Sequence, residues 1–185
     1  DDKGVHTAIE AVGHLVRDYD VRDVHLTITG SGCADYLARL DKIVKDYRIE
    51  SHVTMLGWLP RERMPELMSR NHVLLLPTIH PEPFARIVLE AMAGGLAVIA
   101  SATGGTGEIV HHEKTGLLFP ANESSSLVKE IARIAHDDAF RQQLASAAQA
   151  EVIARYDFKL MVDRLEVFLM QAIELRNVGQ DRNVS

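Results

Sequence analysis

The chain has 185 residues, enough for one ordinary domain and too few for two full-sized ones. Its 46% hydrophobic and 25% charged residues exclude a disordered, collagenous or fibrous polymer. A formal charge of −6 and a pI near 5.8 argue against a surface built for nucleic acid or an anionic bilayer, so the expected partner is a small molecule or a protein.

Along the chain, short β-branched or leucine runs alternate with longer helical patterns, the signature of an α/β fold whose parallel sheet is covered by helices on both faces. Residues 4–17 predict a helix with Val5, Ala8, Ile9, Val12, Leu15 and Val16 on one side and Asp1 or Asp2 as its cap. A strand over 24–29 ends at Gly30-Ser31-Gly32. A helix over 34–47, a strand over 52–56, a turn at Gly57, a helix over 61–69 and a strand over 72–76 follow. The next helix, 84–93, stops at Gly94-Gly95 as a left-handed cap requires, and leads into a strand over 97–100. Gly104-Gly105-Thr106-Gly107 turns into a short helix ending near His111, and 116–119 is the last strand. Helices over 124–136, 139–155 and 160–176 complete a domain of residues 1–176, and 177–185 read as a fraying tail.

Folds of this kind normally open on a strand, whereas this sequence opens on a helix. The expectation is a lobe lacking its first strand, and either a gapped, rearranged sheet or a strand supplied by residues outside this sequence, because that strand lies at the centre of the usual order. Apolar side chains on more than one face of the closing helix, from Phe158 to Leu175, suggest that something further covers it. The single cysteine, Cys33, forbids an intrachain disulfide and points to a cytoplasmic address. The longest apolar stretches, around 72–79 and 87–100, are broken by Pro77, Glu90 and the glycine pair before they reach membrane-spanning length.

The segment 77–101, PTIHPEPFARIVLEAMAGGLAVIAS, strings together a strand end, a loop, a helix and another strand. In open parallel sheets, ligands collect in the crevice outside the carboxyl ends of the strands. The loop from His80 to Phe84 falls there, and the first turn of the following helix offers amides and a partial positive charge to a phosphate. If both were helical, Glu82 and Glu90 would stand about 12 Å apart along the axis and roughly 80° around it. They are too far apart for a carboxylate dyad, but they could hold the two ends of an elongated ligand such as a nucleotide sugar. The plainer alternative makes Glu82 an N-terminal helix charge and Glu90 a solvated position.

The run EPFARIVLEAMAGGLAVIAS resembles the signature of the retaining glycosyltransferases of family 4, two glutamates separated by seven residues within EPFGxxxxEAMAxGxPVIAS. Lys3-Gly4, ITGSG at 28–32, VTMLGWLP at 53–60, VLLLPTIHPEPF at 73–84, TGGTGEIV at 103–110 and GLLFP at 116–120 follow the family's order, so the similarity covers nearly the whole chain. It implies the donor-binding C-terminal lobe of the two-lobed GT-B architecture, with an acceptor-binding N-terminal lobe of the same protein as partner. Through that lobe it further implies peripheral contact with the inner face of a membrane.

By this resemblance Lys3 contacts the donor diphosphate, while the arginine usually paired with it would precede Asp1. Glu82 meets hydroxyls of the transferred sugar, Phe84 and Ala85 offer amides near sugar and phosphate, and Glu90 holds the ribose. Ile87 and Val88 line the phosphate and ribose, Trp58 and Leu59 flank the nucleobase, and Gly30, His80 and Arg86 belong to the same donor site. Ala85 stands where glycine is usual, which would narrow the ligand's approach, and Ala97 stands where proline is frequent. The implied reaction is retaining transfer from a nucleoside-diphosphate sugar, with front-face attack assisted by the leaving phosphate, no cofactor beyond the donor, and no turnover by this domain alone.

Other readings are a noncatalytic nucleotide-binding or assembly module and a nucleotide-sugar epimerase of similar architecture. Gly30-Ser31-Gly32 starts a dinucleotide fingerprint, but Asp35 occupies its third glycine position. Asp18-Tyr19-Asp20 reads as a turn and His111-His112-Glu113 as a helix end, so no metal site is expected. Glu108 reads as a first-turn helix charge and Cys33 as a small semi-buried thiol.

Overall fold

The computed structural model describes residues 2–181, with side chains as far as Ile173. In chain order the elements are α1 (Val5–Asp18), β1 (Leu26–Thr29), α2 (Ala34–Tyr47), β2 (Val53–Gly57), α3 (Met64–Ser69), β3 (Val73–Leu76) and α4 (Arg86–Ala93). Then come β4 (Ala97–Ser101), α5 (Thr106–Ile109), β5 (Leu117–Phe119), α6 (Ser124–His136), α7 (Asp138–Arg155) and α8 (Phe158–Asp181). Short 3-10 turns, Glu50–His52 and Arg61–Arg63, precede β2 and α3.

All pairings are parallel, and the strands form two sheets, β1-β2 and β3-β4-β5. Among the described residues no strand joins β1 to β3, so the sheet is gapped as the sequence led us to expect. Helix α1 lies over both halves. Its Ala11 and Leu15 pack in the cluster built on β3, β4 and β5, and its Ile9 and Val12 in the cluster built on β1, β2 and α2.

Strand β4 is buried along its whole length, which is why it reads as an unbroken apolar run. Leu75, Ile99 and Leu117 stand side by side in register. With Phe119 they pack on Leu15 of α1 and on Leu127 and Ile131 of α6. Helix α4 lies against β3 and β4 and buries Val88, Ala91 and Met92 completely. Truncating Ile99 or Phe119 to alanine in this packing costs about 2–5 kcal/mol.

The start of α4 and the cap of α1 differ from expectation for identifiable reasons. Helix α4 begins at Arg86 rather than Phe84, with Ala85 as its N-cap. The Gly105 N–H donates to the Glu82 carbonyl at 2.9 Å, and Gly104 and Gly105 press on the backbone of Glu82 and Pro83, so the segment before Arg86 is held as loop. At the other end the helix stops at the glycine pair as expected, with Gly95 (φ 77°) as the left-handed residue. Leu96 N–H bonds to the Ala91 carbonyl at 3.0 Å and Gly95 N–H to that of Met92 at 3.1 Å, a Schellman ending.

Asp2 does not cap α1. The N-cap is Gly4 in left-handed geometry (φ 61°), with no side-chain cap bond. The Asp2 carbonyl instead accepts the Ile79 N–H at 2.8 Å. Asp1 lies outside the described residues, as do 182–185 of the expected tail, while α8 continues past 176 to Asp181.

Residues 1–149 form one compact unit and 150–185 a second. In the second, α8 carries exposed Phe158, Met161, Leu165, Phe168 and Met170. No helix among the described residues is long and apolar enough to cross a membrane.

Candidate functional site

Three segments distant in sequence meet at the carboxyl ends of β3 and β4. The chain leaves β3 through Pro77-Thr78-Ile79, and the turn Asp2-Lys3-Gly4 lies directly on it. A Cβ at Gly4 would overlap the Pro77 carbonyl, so only glycine allows this approach. The loop carrying Glu82 is clamped from the other side by Gly104 and Gly105.

Where these segments meet, Lys3 Nζ forms an ion pair with Glu82 Oε1 across 79 residues of sequence. The lysine side chain is 68% exposed and that of the glutamate 24%. Beneath Glu82 lies Thr78, only 1% exposed. Its hydroxyl oxygen is 3.2 Å from the Asp2 carbonyl, 3.3 Å from Glu82 Oε1 and 3.4 Å from the His80 carbonyl. The wholly buried Ser101 at the end of β4 donates from Oγ to the Thr78 carbonyl at 2.6 Å.

Glu90 sits in the second turn of α4. Arg61, from the 3-10 turn after β2, donates from Nη2 to Glu90 Oε1 at 2.9 Å. The two border an open groove of about 400 Å³ that runs past Met64, Pro65, Met68 and Ser69 to Gly94. Both glutamates singled out in the sequence therefore carry a cation from another segment, and neither is a bare helix-face charge.

The remaining candidates divide by exposure. Phe84, Arg86, His80 and Trp58 are exposed, while Ile87 and Leu59 are half-buried. His80 Nε2 approaches Asp2 Oδ1 at 3.5 Å. Gly30 (φ 136°) has open space where a side chain would stand, and its N–H donates to the Gly57 carbonyl at 2.8 Å. Two residues depart from the reading above. Val88 is wholly buried and its N–H is bonded to the Ala85 carbonyl at 2.9 Å, so its side chain belongs to the core rather than to a ligand surface. Ala85 is only 2% exposed, so its methyl packs inward instead of narrowing an opening.

Thr78, Ser101 and Arg61 were not singled out in the sequence, because each acts through a tertiary partner; Thr78 and Ser101 lie within the quoted motifs, but nothing in the spacing shows which partner each takes. The same holds for His6. Buried in the first turn of α1, it shares a hydrogen bond between Nδ1 and the Tyr36 hydroxyl (3.0 Å), and that oxygen accepts the His6 backbone N–H at 3.3 Å. Burial, with Arg39 adding to it, pushes the imidazole pKa down against the opposing pull of Glu10 and Asn122.

Among the weaker signals, Asp18 closes α1 in a cluster with Arg17 and His14, and Glu108 stands in the first turn of α5. His112 accepts the Leu118 N–H at 2.9 Å, and Glu113 pairs with Arg133. Cys33 is the exposed N-cap of α2, not a semi-buried thiol. Among the described residues no group of three or more His, Cys, Asp or Glu side chains could hold a metal ion.

The family model for glycosyl transferases group 1 matches residues 1–151. The chain belongs to that family. This group 1 chain is 31% identical over 159 residues to the glycogen synthase of Mycobacterium tuberculosis, covering 85% of this chain and 37% of that protein. HepE of Anabaena, solved in complex with UDP-glucose, superposes with a TM-score of 0.82 at 28% identity, covering 92% of this chain and 46% of its own. The C-terminal domain of the group 1 protein LpcC from Francisella tularensis shares the fold, with a TM-score of 0.78 at 23% identity over 85% of this chain and 81% of that one. The group 1 chain spans less than half the length of the curated relatives it matches.

Proposed function

We propose that this group 1 domain binds a nucleoside-diphosphate sugar at the carboxyl ends of β3 and β4. Together with an acceptor-binding lobe of the same protein, it transfers the sugar to a hydroxyl acceptor with the anomeric configuration retained. The observation that carries the reading is the Lys3–Glu82 pair, which brings a cation and a carboxylate together at the approach to the N-terminus of α4. HepE complexes with UDP, with UDP and glucose, and with UDP-glucose support it by analogy.

The chemistry follows from charge. The bond from the sugar's anomeric carbon to the diphosphate breaks, a bond to the acceptor oxygen forms, and the acceptor's proton passes to the departing diphosphate. Negative charge grows on the leaving group in the transition state. Lys3, Arg86 and the positive end of the α4 dipole stabilise it there more than in the ground state. Glu82 exchanges its ion pair for sugar hydroxyls, and Glu90 accepts from the ribose diol. Trp58 and Leu59 flank the base, with Gly30, His80, Phe84 and Ile87 completing the surround.

Calorimetric titration of the full-length protein with UDP, GDP and ADP tests this reading. Saturable binding of one nucleoside diphosphate is expected, and no binding of any defeats it. Glu82→Gln is expected to lower transfer at least a hundredfold while that nucleotide still binds, and unchanged transfer would remove Glu82 from its role.

A further inference from the structure

We infer that Thr78 is a positioning residue for Glu82, supplying the hydrogen bond that holds the carboxylate once Lys3 turns away to the diphosphate. This rests on the reading of Glu82 as the sugar-contacting carboxylate and adds the group that keeps it in place during the exchange.

The Thr78 hydroxyl has one proton and three acceptors around it. A hydroxyl donates once, and ordinary O–H···O bonds lie near 2.7–2.8 Å. Thr78 Oγ1 has three oxygens at 3.2, 3.3 and 3.4 Å, so without ligand its proton is committed to none of them. Two of the three do not depend on it. The Asp2 carbonyl already accepts the Ile79 N–H at 2.8 Å, and Glu82 is neutralised by Lys3.

Donor binding changes this balance. The diphosphate, with its greater charge, draws Lys3 off Glu82 and leaves a carboxylate that is only 24% exposed close to a new anion. Such a group either takes a replacement donor or swings toward water and away from the sugar. Thr78 is the donor already beneath it. Its carbonyl is fixed by Ser101 at 2.6 Å and its side chain is buried, so the hydroxyl cannot drift while the lysine moves. Hydrogen bonds to charged acceptors are the strong class, and losing this one weakens sugar recognition about tenfold.

The test separates the hydroxyl from the methyl and the sugar from the nucleotide. Full-length protein is titrated with UDP, GDP and ADP and with UDP-glucose, GDP-mannose and ADP-glucose. The readout is the ratio of the Kd for the nucleotide sugar to the Kd for the matching bare nucleotide. Thr78→Val keeps the shape and removes the hydroxyl, so it is expected to raise the ratio about tenfold by weakening the sugar-bearing ligand alone. Thr78→Ser keeps the hydroxyl and is expected to retain the wild-type ratio. Glu82→Gln should raise it at least as much as Thr78→Val.

A raised ratio in Glu82→Gln with none in Thr78→Val overturns the role of Thr78 and leaves that of Glu82 standing. An unchanged ratio in Glu82→Gln overturns the underlying reading and the inference with it, as does the absence of any nucleotide binding. Equal weakening of both ligands by Thr78→Val, or a serine variant as impaired as the valine one, shows that Thr78 serves packing, and also overturns the inference.

Discussion

Arg61 and Glu90, 29 residues apart in sequence, join the turn after β2 to the second turn of α4 through a hydrogen bond of 2.9 Å. The pair is open to solvent, with side chains 70% and 37% exposed, so its Coulombic gain is largely screened. Arg61→Ala is therefore expected to lower stability by less than about 1 kcal/mol in urea unfolding. A loss above about 2 kcal/mol would mean that the pair holds the two elements together rather than merely occupying one oxygen of Glu90.

Gly4 is a harder constraint. Its φ of 61° disfavours any side chain, and a Cβ there meets the Pro77 carbonyl. Gly4→Ala is expected to destabilise by about 2 kcal/mol or more and to weaken nucleotide binding, because the displaced turn carries Lys3 with it. A variant with unchanged stability and unchanged affinity would contradict the tight seating of Asp2-Lys3-Gly4 on the end of β3.

His6 makes stability pH-dependent in a defined direction. Burial lowers its pKa, so between the folded value and the ordinary imidazole value of about 6.5 the unfolded chain holds the extra proton. Its contribution is full above about pH 6.5, falls as the pH drops through that value, and levels off below the folded pKa. Comparing urea midpoints of wild type and His6→Gln at pH 7.5 and 5.5 isolates this from the other histidines. Wild type should lose more stability than the variant on acidification, and an equal loss would show that His6 titrates alike in both states.

The hydroxyl of Thr106, in the short helix after the glycine turn, is buried without a hydrogen-bond partner. Replacing it by a group of similar shape removes a desolvated polar atom, so Thr106→Val is expected to stabilise by about 1 kcal/mol. A decrease in thermal midpoint would indicate that the hydroxyl is satisfied in solution.

Much of this was legible where local rules operate. The unbroken AVIA of β4 and the glycine pair closing α4 each carry information within a few residues, and they gave the strand and the cap. The start of α4 was misplaced because glycines 104 and 105, some twenty residues downstream, hold Glu82 and Pro83 in the loop. Asp2 has the chemistry of a cap, yet its carbonyl is engaged by Ile79 instead. In the site, the motif gave the two glutamates and Lys3. Their cation pairing, and the parts played by Thr78, Ser101 and Arg61, are tertiary contacts that no periodicity encodes.

A crystal structure of the full-length protein with bound UDP, GDP or ADP, whichever binds most tightly, is the most direct test of the account. It should show Lys3 Nζ withdrawn from Glu82 and within hydrogen-bond distance of a phosphate oxygen, with a Glu90 oxygen on the ribose. A nucleotide bound elsewhere, or bound here with the Lys3–Glu82 pair intact and Glu90 turned to solvent, would contradict it.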